Sequence, residues 1–364
     1  DIPFEDCVEL FCSPEGQKLK KMIVFLIYSE LLPEKLLNKI ADKNVYSQFT
    51  SLDIQREIEY YIHSNENIKL SYRGVNVNLL LNSKTPLPRS ELYNLLRKIL
   101  LLPIIQKYNS DINITYWLTS RKKVLPFKRE LFTEREINSG VTSFSYNNKE
   151  LTIYRKEEFK KLTFHELVHY LNLDGELRSD GLSSLFPKNF NINPERQLRI
   201  YEAYTEFLGV LLNSLVTSIE YKEVSKDSYD RFIMFLEFET EYSLFQTAKI
   251  LLFFKFKDIQ DFVQEYDGKD RFKYTTDIFS YYFLKTALLC NLGEVMNYIY
   301  TYCDGFKMPS NNEHKQIFID IIFRSGLDLN YHRRIQNYMD LIQNNEINIP
   351  KKLMNSLRMT CIEE

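Results

Sequence analysis

The spacing of apolar positions changes period twice along the 364 residues. Residues 1–66 read as short amphipathic helices, with apolar residues three and four apart over 18–32 and 53–63. The period then falls to two. Residues 68–72 and 75–79 alternate on either side of Arg73-Gly74, which predicts a hairpin. Ser90 is placed to cap a helix running toward Leu102, which Pro103 should end or kink. Residues 112–118 alternate again as a third strand, and 141–146 with 151–155 flank Asn147-Asn148-Lys149-Glu150 as a second hairpin. From Glu157 the period returns to 3.6 and holds to Leu171, with a stop near Asp174-Gly175. Residues 172–193 read as a connecting loop, and Asn193-Pro194 as the start of a helix reaching Ser218. Beyond residue 228 the pattern is helical, broken near Gly268, Pro309, Gly326 and Pro350. The order predicts an α+β, mainly helical fold in three parts: a helical segment 1–66, a sheet-bearing part 67–175 and a helical part 176–364.

Composition supports the helical emphasis. Only 10 Gly and 11 Pro leave few tight turns, while 25 Tyr and 26 Phe supply rings to fill the gaps between helices. With 44% hydrophobic and 26% charged residues the chain has the make-up of a protein with a real core, not a disordered one. A formal net charge of −2 excludes binding to nucleic acid through bulk electrostatics, and the basic run Arg121-Lys122-Lys123 stands within a mixed-charge surface. The longest apolar stretches, 22–28 and 250–254, fall far short of the ~18 residues of a membrane span, so a soluble protein is expected. Five cysteines without a CxxC pair fit a reducing, intracellular setting; a secreted or virion location is the alternative.

One motif carries chemistry. His165-Glu166-Leu167-Val168-His169 is an HExxH sequence inside a helical pattern. Four residues apart, His165 and His169 project from one helical face and can offer imidazole nitrogens to one metal ion. Zinc suits such a site, because it accepts neutral imidazoles and a carboxylate and keeps a position open for water, beside which Glu166 can act as base. The third ligand is sought on the next helix, where Glu202 and Glu206 share a face: one carboxylate for the metal, the other for an imidazole N–H. Gly209 on that face permits close helix approach, and the apolar surroundings make unpaired carboxylates there costly.

HExxH followed by Glu-x-x-x-Glu on the next helix resembles the gluzincin group of zinc metallopeptidases. The resemblance covers roughly residues 67–210. It implies His165, His169 and Glu202 as ligands of one catalytic Zn2+, Glu166 as general base and Glu206 as support for a ligating histidine. The strand–strand–helix–three-strand run before the zinc helix resembles the upper, zincin-like subdomain of that fold, above a helical lower subdomain. There the edge strand pairs with an extended peptide substrate, which here would be 141–146, with Gly140 and Ser143 near the peptide. A tyrosine, histidine or arginine of the lower part stabilises the oxyanion in that group; Tyr281 and Tyr282 are the candidates, with Tyr204 and Arg199 behind them. His63, His314 and His332 are read as structural. Cys7 or Cys12 could mask zinc as a thiolate, on position alone. The expected function is a zinc-dependent peptidase acting on a peptide or protein, without nucleic acid or membrane span. A tail-trimming carboxypeptidase of the same fold, and a non-catalytic helical interaction or virion protein retaining the scaffold, are its rivals.

Overall fold

A computed structural model describes residues 38–39, 54, 56–58, 64–126, 131–145, 148–178, 181–220, 227–344 and 348–363. The helix expected over 18–32, most of that over 53–63, and Cys7, Cys12, His63 and Tyr146 lie outside the described residues.

A mixed sheet runs in the order β1-β2-β3-β4-β6-β5. Its strands are β1 (Asn38–Lys39), β2 (Ser64–Tyr72), β3 (Val75–Ser83), β4 (Asp111–Leu118), β5 (Gly140–Ser145) and β6 (Asn148–Ile153). β2 and β3 form the expected hairpin, longer than its alternating core. Its turn places Arg73 at φ 49° and Gly74 at φ 82°, the left-handed pair whose twist matches the flanking strands. β3 and β4 are parallel and are joined through helix α1 (Arg89–Ile105). β4 and β6 are also parallel, while β5 returns antiparallel on β6 and is left at the sheet edge.

Several local expectations are corrected. Helix α1 begins after Pro88 with no side-chain cap, so Ser90 sits inside it, and it runs two residues past Pro103. The second hairpin is tighter than its polar run suggested: β6 starts at Asn148, and Tyr154 and Arg155 lie beyond its end. A single turn, α2 (Glu134–Ile137), precedes β5 and is held by a reciprocal cap between Thr133 and Glu136. The span 172–193 contains two 3-10 segments, Gly175–Leu177 and Gly181–Lys188. Asn193 does not start a helix. Its side chain accepts from the Glu195 N–H in a local turn, and the next helix, α4 (Tyr201–Glu220), begins seven residues after Pro194.

The HExxH helix α3 (Phe159–Tyr170) packs between sheet and α4. Its start is tied down by the far end of the chain. Glu158, left-handed at φ 63°, accepts the N–H groups of Met359 and Thr360. Glu363 in turn accepts the first-turn N–H groups of Lys160 and Lys161 at 2.7 and 2.8 Å, satisfying donors that a helix start leaves open. Beyond α4 come α5 (Asp227–Phe253), α6 (Ile259–Phe262), a π-helical turn Phe279–Leu284 leading into α7 (Lys285–Cys290), α8 (Leu292–Tyr302), α9 (Asn312–Gly326), α10 (Leu329–Gln343) and α11 (Lys351–Asn355).

One apolar cluster extends from Ile68 to Met359. Rings dominate its helical half: Phe279 stacks on Phe283 at 5.2 Å, with Phe190 and Phe262 packed against both. Among the described residues no helix is long and apolar enough to cross a membrane. Among the described residues Cys290, Cys303 and Cys361 form no disulfide.

Candidate metal centre

Helices α3 and α4 cross at the HExxH segment, and the crossing is close because Gly209 faces His165. A methyl group added at Gly209 would lie 3.5 Å from the His165 Cβ and the Lys161 side chain, so nothing larger fits without displacement. That approach brings Glu202 over the two imidazoles. Its Oε2 lies 3.4 Å from His165 Nε2 and 3.3 Å from His169 Nε2. The three residues offer ligand atoms within 4.8 Å of one another.

The opposite ring nitrogens are both engaged, which turns each Nε2 toward Glu202. His165 Nδ1 meets Glu206 Oε2 at 2.8 Å, and Glu206 Oε1 takes the Lys161 ammonium at 2.6 Å. His169 Nδ1 meets Asp174 Oδ2 at 2.7 Å, and Asp174 also holds Arg178 at 3.1 Å. Carboxylates behind imidazoles fix tautomer and ring orientation. Glu206 was anticipated; Asp174, Lys161 and Arg178 were not. Asp174 was legible as an acid five residues beyond His169, within reach once the chain turns back at the helix end.

Burial would raise the Glu202 carboxyl, yet the His169 and His165 imidazoles outweigh it and hold it far below the ordinary range. Burial likewise works against charge on both imidazoles, but the surrounding carboxylates win and both sit above the usual histidine value. The centre favours positive charge on its imidazoles, and metal uptake there would release protons.

Does a metal fit? Glu202 Oε2 is buried and has no hydrogen-bond partner among the described residues, although it points at two nitrogens. Four-coordinate zinc with bonds of ~2.0–2.1 Å spaces its ligand atoms ~3.3–3.4 Å apart. The two Nε2–Oε2 separations match that edge. The donor set of two imidazoles and one carboxylate is compatible with metal binding.

Glu166 lies beside this group, buried, with Thr142 donating to its Oε2 at 2.8 Å. Burial, the largest influence, raises its carboxyl above the ordinary value. Gly140 of β5 makes room for it: a Cβ there would stand 2.8 Å from Glu166 Oε1 and 3.1 Å from the Thr152 carbonyl. The cleft, about 550 Å3, is lined on one side by Gly140, Val141, Thr142 and Phe144 of the edge strand and on the other by Arg199, Tyr201, Asp277 and Tyr281. Ser143 faces away, its hydroxyl toward the Glu150 carbonyl.

The tyrosine candidates separate. Tyr281 lines the cleft, its ring 5.7 Å from that of His165. Burial and the nearby Glu202 hold its phenol far above the usual value, so it remains a donor. The π-helical turn puts it there, and no residue pattern announced that turn. Tyr282 points the other way, its buried hydroxyl donating to the Leu357 carbonyl, so it is withdrawn from the site. Tyr204 donates to the Phe306 carbonyl within the core. Arg199 lines the cleft but is paired with Asp277 at 2.9 Å. Asp277 is pushed up to about 7 by burial and by Glu202. His332 bonds the Gly326 carbonyl and His314 packs on Tyr302, both away from the cleft.

No family model and no solved structure matches the chain. An uncharacterized protein of Acanthamoeba polyphaga mimivirus is similar to it, at 37% identity over 161 residues. The match takes in 43% of this chain and 40% of that protein, so the chain spans about two-fifths of the relative's length.

Proposed function

We propose that this protein is a zinc-dependent peptidase of gluzincin type, with a zincin-like upper part formed by the sheet and α3 above a helical lower part. The observation that carries this reading is the buried Glu202 Oε2, which makes no hydrogen bond among the described residues and lies 3.4 and 3.3 Å from the Nε2 atoms of His165 and His169, with Glu166 adjacent in the same cleft. His165, His169 and Glu202 would hold the ion. When bound, zinc supplies Lewis acidity that polarises a peptide carbonyl and makes water easier to deprotonate.

The chain's own groups account for the rest. Glu166 takes the proton of the attacking water and delivers it to the leaving nitrogen. Thr142 and the space at Gly140 fix where its two oxygens lie. The open edge of β5 offers backbone groups to an extended peptide beside that carboxylate. Tyr281 brings a phenol to the cleft wall opposite β5, as a hydrogen-bond donor to the oxygen that gains charge.

The test is elemental analysis of the purified protein beside His165→Ala, together with Glu166→Gln on a peptide library. One zinc per chain that His165→Ala loses, with cleavage that Glu166→Gln abolishes, is the expected result. Absence of stoichiometric metal would sink the enzyme reading, and metal without Glu166-dependent cleavage would leave a metal-binding scaffold.

A further inference from the structure

Beyond His169 the cleft is lined by Phe144, Arg178 and Tyr201, and Lys149 stands against the Phe144 ring without itself lining the cleft. Phe144 of β5 is the feature at its centre, an edge-strand ring that remains 53% exposed. The Arg178 guanidinium stands 5.8 Å from its centroid and 5.3 Å from that of Tyr201. The Lys149 ammonium stands 5.1 Å from the Phe144 centroid and 4.6 Å from that of Tyr170. Phe144, Arg178 and Tyr201 all line the cleft.

The charge balance at this end is incomplete. Asp174 is the carboxylate at hand, and it is already shared by His169 and Arg178. Lys149 makes no ion pair and its ammonium no hydrogen bond among the described residues; its neighbours are the faces of Phe144, Tyr170 and Tyr108. Aromatic faces attract a cation, but they give it no acceptor oxygen. Burial and Arg178 together make Lys149 easier to deprotonate than a free lysine. An ammonium in that position gains from any anion that arrives, and Arg178 stands ready as a fork donor beside it. Phe144 is two positions beyond Thr142, so the subsite is displaced along β5 from Glu166 by about 7 Å, two strand residues.

We propose that Lys149 and Arg178, set around the exposed Phe144 ring at the end of β5, form a subsite that takes a carboxylate of the peptide substrate, either an acidic side chain or a chain terminus. This inference rests on the peptidase reading for its substrate and adds the class of residue selected. Both cations stand against the same Phe144 ring, which ties the carboxylate to one place on the surface rather than to net charge.

Four probe peptides test it, identical except for Glu or Gln at the position under scan and a free carboxylate or amide at the terminus. Cleavage by the wild-type protein is compared with Lys149→Met, which keeps the apolar stem, and with Lys149→Arg, which restores charge. The expected result is a preference of about tenfold in kcat/KM for one carboxylate-bearing probe. That preference should be carried by KM, fall below about threefold in Lys149→Met and return in Lys149→Arg. Which probe is preferred, internal Glu or free terminus, identifies the source of the carboxylate. Fluorescence anisotropy of the same probes on the Glu166→Gln protein reads binding without cleavage. Lys149-dependent binding of an acidic probe that is never cleaved would uphold the subsite and overturn the peptidase reading. Cleavage with equal rates for acid and amide probes, or a preference indifferent to Lys149, would overturn the subsite and leave the peptidase reading standing.

Discussion

The two imidazoles that face Glu202 are each backed by a carboxylate and a cation, yet the two relays are built from different materials. Behind His165, Glu206 comes from α4 and Lys161 from one turn earlier on α3, and their side chains are 1% and 0% exposed. Behind His169, Asp174 and Arg178 come from the local turn after α3, and the guanidinium is 34% exposed. The floor relay is thus tertiary and dry; the rim relay is local and wet at its outer end. In the floor each charge depends on its partner, because no water can replace it. At the rim, water can substitute for Arg178. Identical chemistry should therefore differ in sensitivity to substitution.

Glu206→Gln should give the largest effect. It strands the Lys161 ammonium in the core, and breaking a buried pair costs about 3–5 kcal/mol. Denaturant unfolding of the metal-free protein measures it, and a loss under about 1 kcal/mol would show that water reaches the floor. Adding Lys161→Met to Glu206→Gln should recover much of the loss, since no unpaired charge remains.

The floor also holds a lysine with no such close carboxylate. Lys285, 1% exposed, bonds the Ser243 hydroxyl at 2.7 Å, and burial brings its pKa down to about 8 despite Glu206 and Glu239. The folded value lies below the unfolded value of about 10.5, so between the two the unfolded chain binds the extra proton. Stability should then rise with pH from about 8 to 10.5, by at most about 1.4 kcal/mol per pH unit, while below 8 the cost of the buried ammonium is fully present and does not vary with pH. Calorimetry of Lys285→Met against wild type across that window should find a flatter profile for the variant. Parallel profiles would show that Ser243 suffices to keep the ammonium at its ordinary value.

This contrast also explains what could be read from residue order. Two candidate ligands on one helix have a local spacing, so His165 and His169 were visible as a pattern, and Glu202 with Glu206 followed from the same period on the next helical run. The hairpin at Arg73-Gly74 was legible because its turn chemistry is local. Lys161 and Glu206 form a pair only through packing across Gly209, and neither residue advertises the other. Tyr281 enters the cleft on a π-helical turn, a one-residue change of register that apolar periodicity cannot carry, and the same change directs Tyr282 into the core. Asn193-Pro194 misled because a good cap residue also makes a good turn, and here its side chain closes one on the Glu195 N–H.

Asp174→Asn is the next test in size. Replacing a carboxylate behind a ligating histidine lowers metal affinity by about 10–100-fold, readable by competition with a chromogenic chelator. Asn keeps the shape and can still accept from His169, so the fold should be retained. A change below about threefold would mean that the turn after α3 holds the ring by geometry alone, and the rim relay would then lose its electrostatic role.

Arg178→Gln should give the smallest effect on the metal and the sharpest reading of the comparison. Its ion pair with Asp174 is partly exposed, and such pairs contribute about 0–1 kcal/mol. Chelator competition should therefore show metal affinity changed less than about fivefold. What difference there is should shrink at high salt, where an exposed pair is screened and a buried one is not. Run beside Glu206→Gln, whose loss should persist at high salt, the experiment separates wet from dry directly. If Arg178→Gln instead cost as much as Asp174→Asn, independent of salt, the guanidinium would be acting within a closed site, and the rim would have to be regarded as a second floor.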